Sequence, residues 1–280
     1  MMPNDEFTES YKSAVEASQS ITTAVLVGDF FGNLLLSGPM TLLWGMLNCM
    51  QIVSHFDLVN IMMPSNAQYL FKILVSIATF NILPTEGVID EIEEWLGIVN
   101  DDFYLTESFL DFQFDSSGPI RNLQVMFLAM LLLAAIPLVL LVLRAGFFWS
   151  KKVKSCIIFV KDKIFFNAYL RFGLEAYLEL SLSSILRFRN FTFGTSSENF
   201  HSIFAMILFA GVLAYLAFSL FFLQSRHMIL DTKEARNRYG GIYLALKTRE
   251  RSAILSPFIF MLRRLLFAAI LVSWSERSYF

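Results

Sequence analysis

Val125 to Leu143 reads VMFLAMLLLAAIPLVLLVL, and Ile203 to Leu223 reads IFAMILFAGVLAYLAFSLFFL; neither run holds a charged residue. A helix needs roughly 17 to 25 apolar residues to cross the hydrocarbon of a bilayer, where every backbone N–H and C=O must be satisfied inside the segment. Both runs meet that length, and a soluble chain rarely carries even one such stretch. They make this an all-α, polytopic helical membrane protein and set the frame for the remaining segments.

Composition agrees with that frame. Hydrophobic residues make up 56% of the chain and charged residues 16%, against about 25% charged in ordinary globular domains. Phenylalanine, at 30 of 280 residues, suits lipid-facing surface and helix packing. The two cysteines, Cys49 and Cys156, lie in or beside apolar segments and build neither a disulfide framework nor a zinc motif. Residues 1–20 form a polar, mildly acidic N-terminal segment without the basic and apolar regions of a cleavable signal peptide. The helical membrane domain is expected to occupy 21–280.

Outward from the two uncharged runs, the expected spans are 21–55, 67–83, 122–143, 165–186 and 203–223, with a possible sixth at 257–274. The first is longer than one crossing needs and holds Ser37-Gly38-Pro39, so one long kinked helix is predicted. The second is bracketed by Pro64 and Pro84, with Lys72 near enough to an end to snorkel. The fourth is apolar and aromatic apart from Arg171, Glu175 and Glu179. In the last, Arg263 and Arg264 separate two short apolar runs, so an incomplete helix is expected there. The count is therefore five to six.

Charge fixes the expected orientation. The stretch 84–120 carries ten acidic residues, from Glu86 to Asp115, and no lysine or arginine, whereas Arg144 to Lys163 and Arg226 to Arg251 are rich in both. The positive-inside rule puts the two basic stretches in the cytoplasm. Alternation then places the N-terminus, the acidic 84–120 loop and the 187–200 loop outside. The sequon Asn190-Phe191-Thr192 falls in one of those outer loops. A further basic stretch, Arg236 to Arg251, is read first as topology-setting charge and second as an amphipathic surface helix. Nothing in it calls for nucleic acid.

Ionisable side chains at membrane depth face a partner or water, so they are the candidate functional residues. Arg171, Glu175, Glu179 and Ser183 recur every four residues and form one polar stripe on a helix. Two carboxylates on one face supply the field or oxygen ligands of a cation path; alternatively, Arg171 neutralises Glu175 and the stripe is structural. In the first span Gly28 and Gly32 make a small-xxx-small helix-packing pair beside a polar stripe of Asp29, Asn33 and Ser37, and Asn48, Gln51 and His55 continue a polar face beyond the kink.

Catalytic constellations are missing from the sequence. His55, His201 and His227 are scattered, with no H-E-x-x-H, no G-x-S-x-G and no phosphate loop, and Gly28-Asp29 has no matching second aspartate motif. No enzyme, metal or cofactor is expected, and regularly spaced arginines of a voltage sensor are not present.

Three blocks carry a family likeness: Leu42-Leu43-Trp44-Gly45-Met46-Leu47-Asn48 with Gln51-Ile52; Arg171 with Leu174-Glu175-Ala176-Tyr177-Leu178-Glu179-Leu180; and Arg238-Tyr239-Gly240-Gly241-Ile242-Tyr243 with Leu246-Lys247, ahead of Arg263-Arg264. They resemble the C-terminal membrane region of large protist, ciliate-type, transmembrane proteins related to the TRP-like C-terminal domain. The resemblance implies a TRP-like cation channel or channel-associated subunit, with an inorganic cation, the lipid bilayer and a homo-oligomer or other membrane subunits as partners. Members of that family carry a cysteine-rich ectodomain and further helices, from which the alternative expectation of a truncated fragment arises. The other alternative is a non-conducting membrane anchor or sensor. A transporter ranks behind both, because the Gly-Pro break has no counterpart in a matching half.

Overall fold

The computed structural model describes residues 51–53, 55, 58, 64, 85–99, 109–110, 114, 116–146, 150–159, 166–226, 230, 232, 235, 239–240, 242–243, 253 and 255–275. The expected 1–20 segment, nearly all of the 21–55 span, the 67–83 span, and with them Gly28, Gly32, Asp29 and Asn48, lie outside the described residues. Among those described, the architecture is all helical: α1 (Glu86–Leu96), α2 (Pro119–Gly146), α3 (Lys151–Phe159), α4 (Phe166–Glu175), α5 (Tyr177–Arg189), α6 (Ser196–Arg226) and α7 (Ser256–Trp274).

Three of these, α2, α6 and α7, are long and apolar enough to cross a membrane. The backbone of α2 is non-helical at Gln124 (φ 21°, ψ −92°); at 1.5 Å per residue its part after that kink extends about 33 Å, and α6 and α7 about 46 and 28 Å, against a hydrocarbon core of about 30 Å. In α2 and α6 only 22% of the most apolar 18-residue window is buried. Leu131, Leu132, Leu138, Val139, Leu141 and Val142 of α2 and Ile207, Leu213 and Phe221 of α6 instead face outward. An apolar surface of that extent is stable against lipid and not against water.

The helices surround α5. Its neighbours are α6, α7 and α2, and Leu178, Leu182 and Leu186, one turn apart, are fully buried with Ala268, Leu271 and Val272 of α7. Relative direction follows from paired contacts. Ser183 of α5 reaches the Pro119 carbonyl while Tyr169 of α4 reaches that of Leu133, so α2 runs antiparallel to α4 and α5. Arg187 meets Ser202, Tyr177 meets Val212 and Tyr215 meets Leu170, so α6 is antiparallel as well. Arg264 lies at Leu174 and Val272 at Arg189, which makes α7 parallel to α5.

Several backbone carbonyls inside this bundle are met by a side-chain donor from another helix. Pro137 lies within α2; lacking an N–H, it leaves the carbonyl four residues back without its helical donor. That carbonyl is Leu133, and the Tyr169 hydroxyl donates to it at 2.6 Å. Tyr215 likewise donates to the Leu170 carbonyl at 2.6 Å. The Tyr215 ring comes so close to α4 that a Cβ on Gly173 would stand 2.9 Å from it, which is why position 173 takes glycine.

Two expected boundaries are revised. The 165–186 span is divided at Ala176 into α4 and α5, although i to i−4 bonds from Ala176 to Phe172 and from Leu180 to Ala176 carry the ladder across the division. The last helix is continuous from Ser256 to Trp274, so the arginine pair does not interrupt it. Successive helical residues point about 100° apart, and the pair separates accordingly: Arg264 is buried and Arg263 exposed. Helical side chains tilt toward the N-terminus, and Arg263 is about 10 Å from the start of α7, within snorkelling reach of headgroups.

Candidate functional site

The four-residue stripe survives the division at Ala176. Glu175, Glu179 and Ser183 are all buried, and Arg171, one turn before, is half-buried. Arg171 interacts electrostatically with Glu175.

A second cation comes from another helix. Arg264 of α7 is fully buried, and its guanidinium feels the charges of Glu179 and Glu175. It donates to the Leu174 carbonyl at 3.3 Å and lies over the Phe260 ring, 4.3 Å from its centroid. Leu174 is in the last turn of α4, so the guanidinium adds a donor to a carbonyl there while it sits in the field of the carboxylates.

A third segment closes the cluster. His55 Nε2 stands 3.3 Å from Glu179 Oε1, with both side chains buried. On its other edge His55 Nδ1 is hydrogen-bonded to the backbone oxygen of Gln51. A carbonyl only accepts, so Nδ1 carries the hydrogen there. Gln51, itself buried, thus joins the same site. The Tyr177 hydroxyl donates to the Val212 carbonyl at 3.4 Å. Glu175 and Glu179, on either side of Tyr177, are therefore level with the middle of α6.

A second polar knot sits at the far end of α5. The buried Arg187 donates to Ser117 Oγ at 2.6 Å, Ser202 Oγ at 3.1 Å, Thr192 Oγ1 at 3.3 Å and the Glu198 carbonyl at 3.2 Å. It ties together the ends of α5 and α6, the loop between them and the approach to α2. In the sequence, position 187 counted only as the first residue of the expected outer 187–200 loop. Thr192 of the sequon is committed to this knot, since its backbone oxygen also accepts from Ser202 Oγ.

Of the residues singled out in the sequence, Arg171, Glu175, Glu179 and Gln51 meet in one region. The sequence put His55 on one polar face with Gln51 but connected neither His55 nor Arg264 to the carboxylates. A basic residue breaking an apolar run with carboxylates in another span was the available signal. Among the described residues no group of three His, Cys, Asp or Glu side chains is placed to hold a metal ion. Helices with lipid-compatible faces around a buried, charge-compensated centre define the class: a helical membrane-type bundle. Comparison with known protein families, curated proteins and solved structures finds no match.

Proposed function

We propose that the chain is a multi-pass membrane protein of five to six spans, a TRP-like cation channel or channel-associated subunit, in which the buried charge cluster regulates conduction. The observation that carries this reading is the convergence of Glu175, Glu179, Arg264 and His55 from separate segments at the level of the middle of α6. Charges at that depth are costly, and they mark ion paths and moving elements in membrane proteins. A cation in the field of two carboxylates also makes a two-position element: sliding α7 along α4 and α5 would exchange Arg264 for water or a permeant ion near Glu175 and Glu179. The orientation that accompanies this proposal has the N-terminus and the 84–120 segment outside and the basic stretches inside. The TRP-like assignment rests on the sequence blocks quoted above.

A second reading, a non-conducting anchor or sensor, is favoured by one specific feature. Arg264 and His55 already face the carboxylates, which is what a purely structural ion-pair centre would require. Cation flux through liposomes holding the purified protein separates the two. The channel reading expects flux from the native chain and a changed flux from the folded Glu175→Gln/Glu179→Gln double variant. Equal flux from both would clear the carboxylates of a conducting role, and no flux from the native chain would favour the anchor.

A further inference from the structure

We propose that α1 is an interfacial helix, inserted edge-on into the headgroup and acyl boundary of the leaflet at its own end of the bundle. This rests on the membrane reading and goes beyond it, because an acidic loop would ordinarily be placed in water.

The first support is position. Arg121, in the first turn of α2, donates to Asp90 at 2.8 Å and to Glu93 at 3.5 Å, and Thr85 donates to Gln124 at 3.0 Å. Beyond the helix, the Val99 N–H donates to Ser197 Oγ, which donates back to the Val99 carbonyl, at the start of α6. Ile89 and Ile98 are buried in the core shared by α2, α4 and α6. The helix is therefore held rigidly where two candidate spans begin, the level of the membrane surface.

The second support is the distribution of side chains around α1. Val88, Ile92 and Trp95 fall within about 60° on the helical wheel, next to the core-facing side, with Glu86, Asp90 and Glu94 opposite. Trp95 is 84% exposed and Val99 70%, and Val88 and Leu96 are exposed with them. The wheel has three sectors: one against the bundle, one apolar and open, one acidic. An amphipathic helix in the plane of a bilayer has that pattern, with its apolar edge about 5–10 Å deep. The open edge is continuous with lipid-facing surface, since the exposed apolar residues of α6 start at Ile203, about 9 Å along the axis from Ser197.

The third support is aromatic. Trp274 closes α7 at the level where Arg189 donates to Val272, and Phe191 and Phe193 follow α5 at the same end. All three are exposed, as is Trp95. Tryptophan gathers at the membrane–water boundary, so Trp95 and Trp274 mark one plane. The five carboxylates of α1 suit a zwitterionic surface and not an anionic one.

The test uses the full chain in phosphatidylcholine vesicles. A Trp44→Phe/Trp149→Phe/Trp274→Phe variant leaves Trp95 as the sole fluorophore. The proposal expects blue-shifted emission, most of it lost with shallow-brominated phosphatidylcholine and little with aqueous iodide. Quenching by iodide alone would overturn it, and so would protection from both quenchers, which puts Trp95 in a protein contact. A companion variant carries Trp95→Phe as well and Val139→Trp on the lipid-facing side of α2. Bromolipid quenching at 139 without quenching at 95 defeats the α1 proposal alone; no quenching at either defeats the membrane reading itself. Should the tryptophan variants not fold, Val99→Cys in a Cys49→Ser/Cys156→Ser chain, labelled with a polarity-sensitive dye, gives the same readout: an apolar spectrum supports the proposal and an aqueous one overturns it.

Discussion

At the residue scale, the arrangement turns on Arg264. Removing one member of a buried charge set strands the others, and the usual cost is about 3–5 kcal/mol. Arg264→Met is expected to lower the unfolding temperature in detergent by far more than Arg263→Met, since Arg263 is exposed. Adding Glu175→Gln and Glu179→Gln to Arg264→Met should recover most of the loss, because no carboxylate then lacks its cation. Equal effects from the two arginines would mean that the cluster carries no structural charge balance. The stripe of Arg171, Glu175 and Glu179 was legible because four-residue spacing maps directly onto one helix face. Arg264 was not, because two adjacent arginines read as a break in hydropathy, and only the rotation of the helix assigns one of them to the core.

At the element scale, the long apolar helices were readable and their divisions were not. The runs 122–143 and 203–223 lie inside α2 and α6, since a long uncharged run has few alternatives to a spanning helix. The division at Ala176 has no proline or glycine at that position to announce it. Two substitutions probe the contacts of α4. Tyr169→Phe leaves the Leu133 carbonyl without its donor, for a cost of about 1–3 kcal/mol. Pro137→Ala restores a helical N–H, so in a double-mutant cycle the tyrosine substitution should cost clearly less in the Pro137→Ala background than in the native one; an additive result would separate Tyr169 from the proline. Gly173→Ala drives a methyl group into the Tyr215 ring and should destabilise by about 1–3 kcal/mol, as overpacking does. Adding Tyr215→Leu should relieve part of it, and thermal unfolding of the three proteins measures the difference.

At the scale of the whole molecule, charge segregation and helix direction coincide. The acidic α1, the start of α2, the end of α5 and the start of α6 gather at one end. The end of α2 with Arg144, the start of α3 with Lys151 and the end of α6 with Arg226 belong to the other. This separation was legible from loop composition alone, whereas the inter-helix partners required the third dimension. The direct test is single-cysteine labelling in intact cells with a membrane-impermeant maleimide, in a chain carrying Cys49→Ser and Cys156→Ser. Glu94 and Ser155 are the positions to use, being exposed at opposite ends. The account predicts labelling of Glu94→Cys in intact cells and of Ser155→Cys only after permeabilisation. Labelling of Ser155→Cys in intact cells, or equal labelling of both positions before permeabilisation, would contradict it.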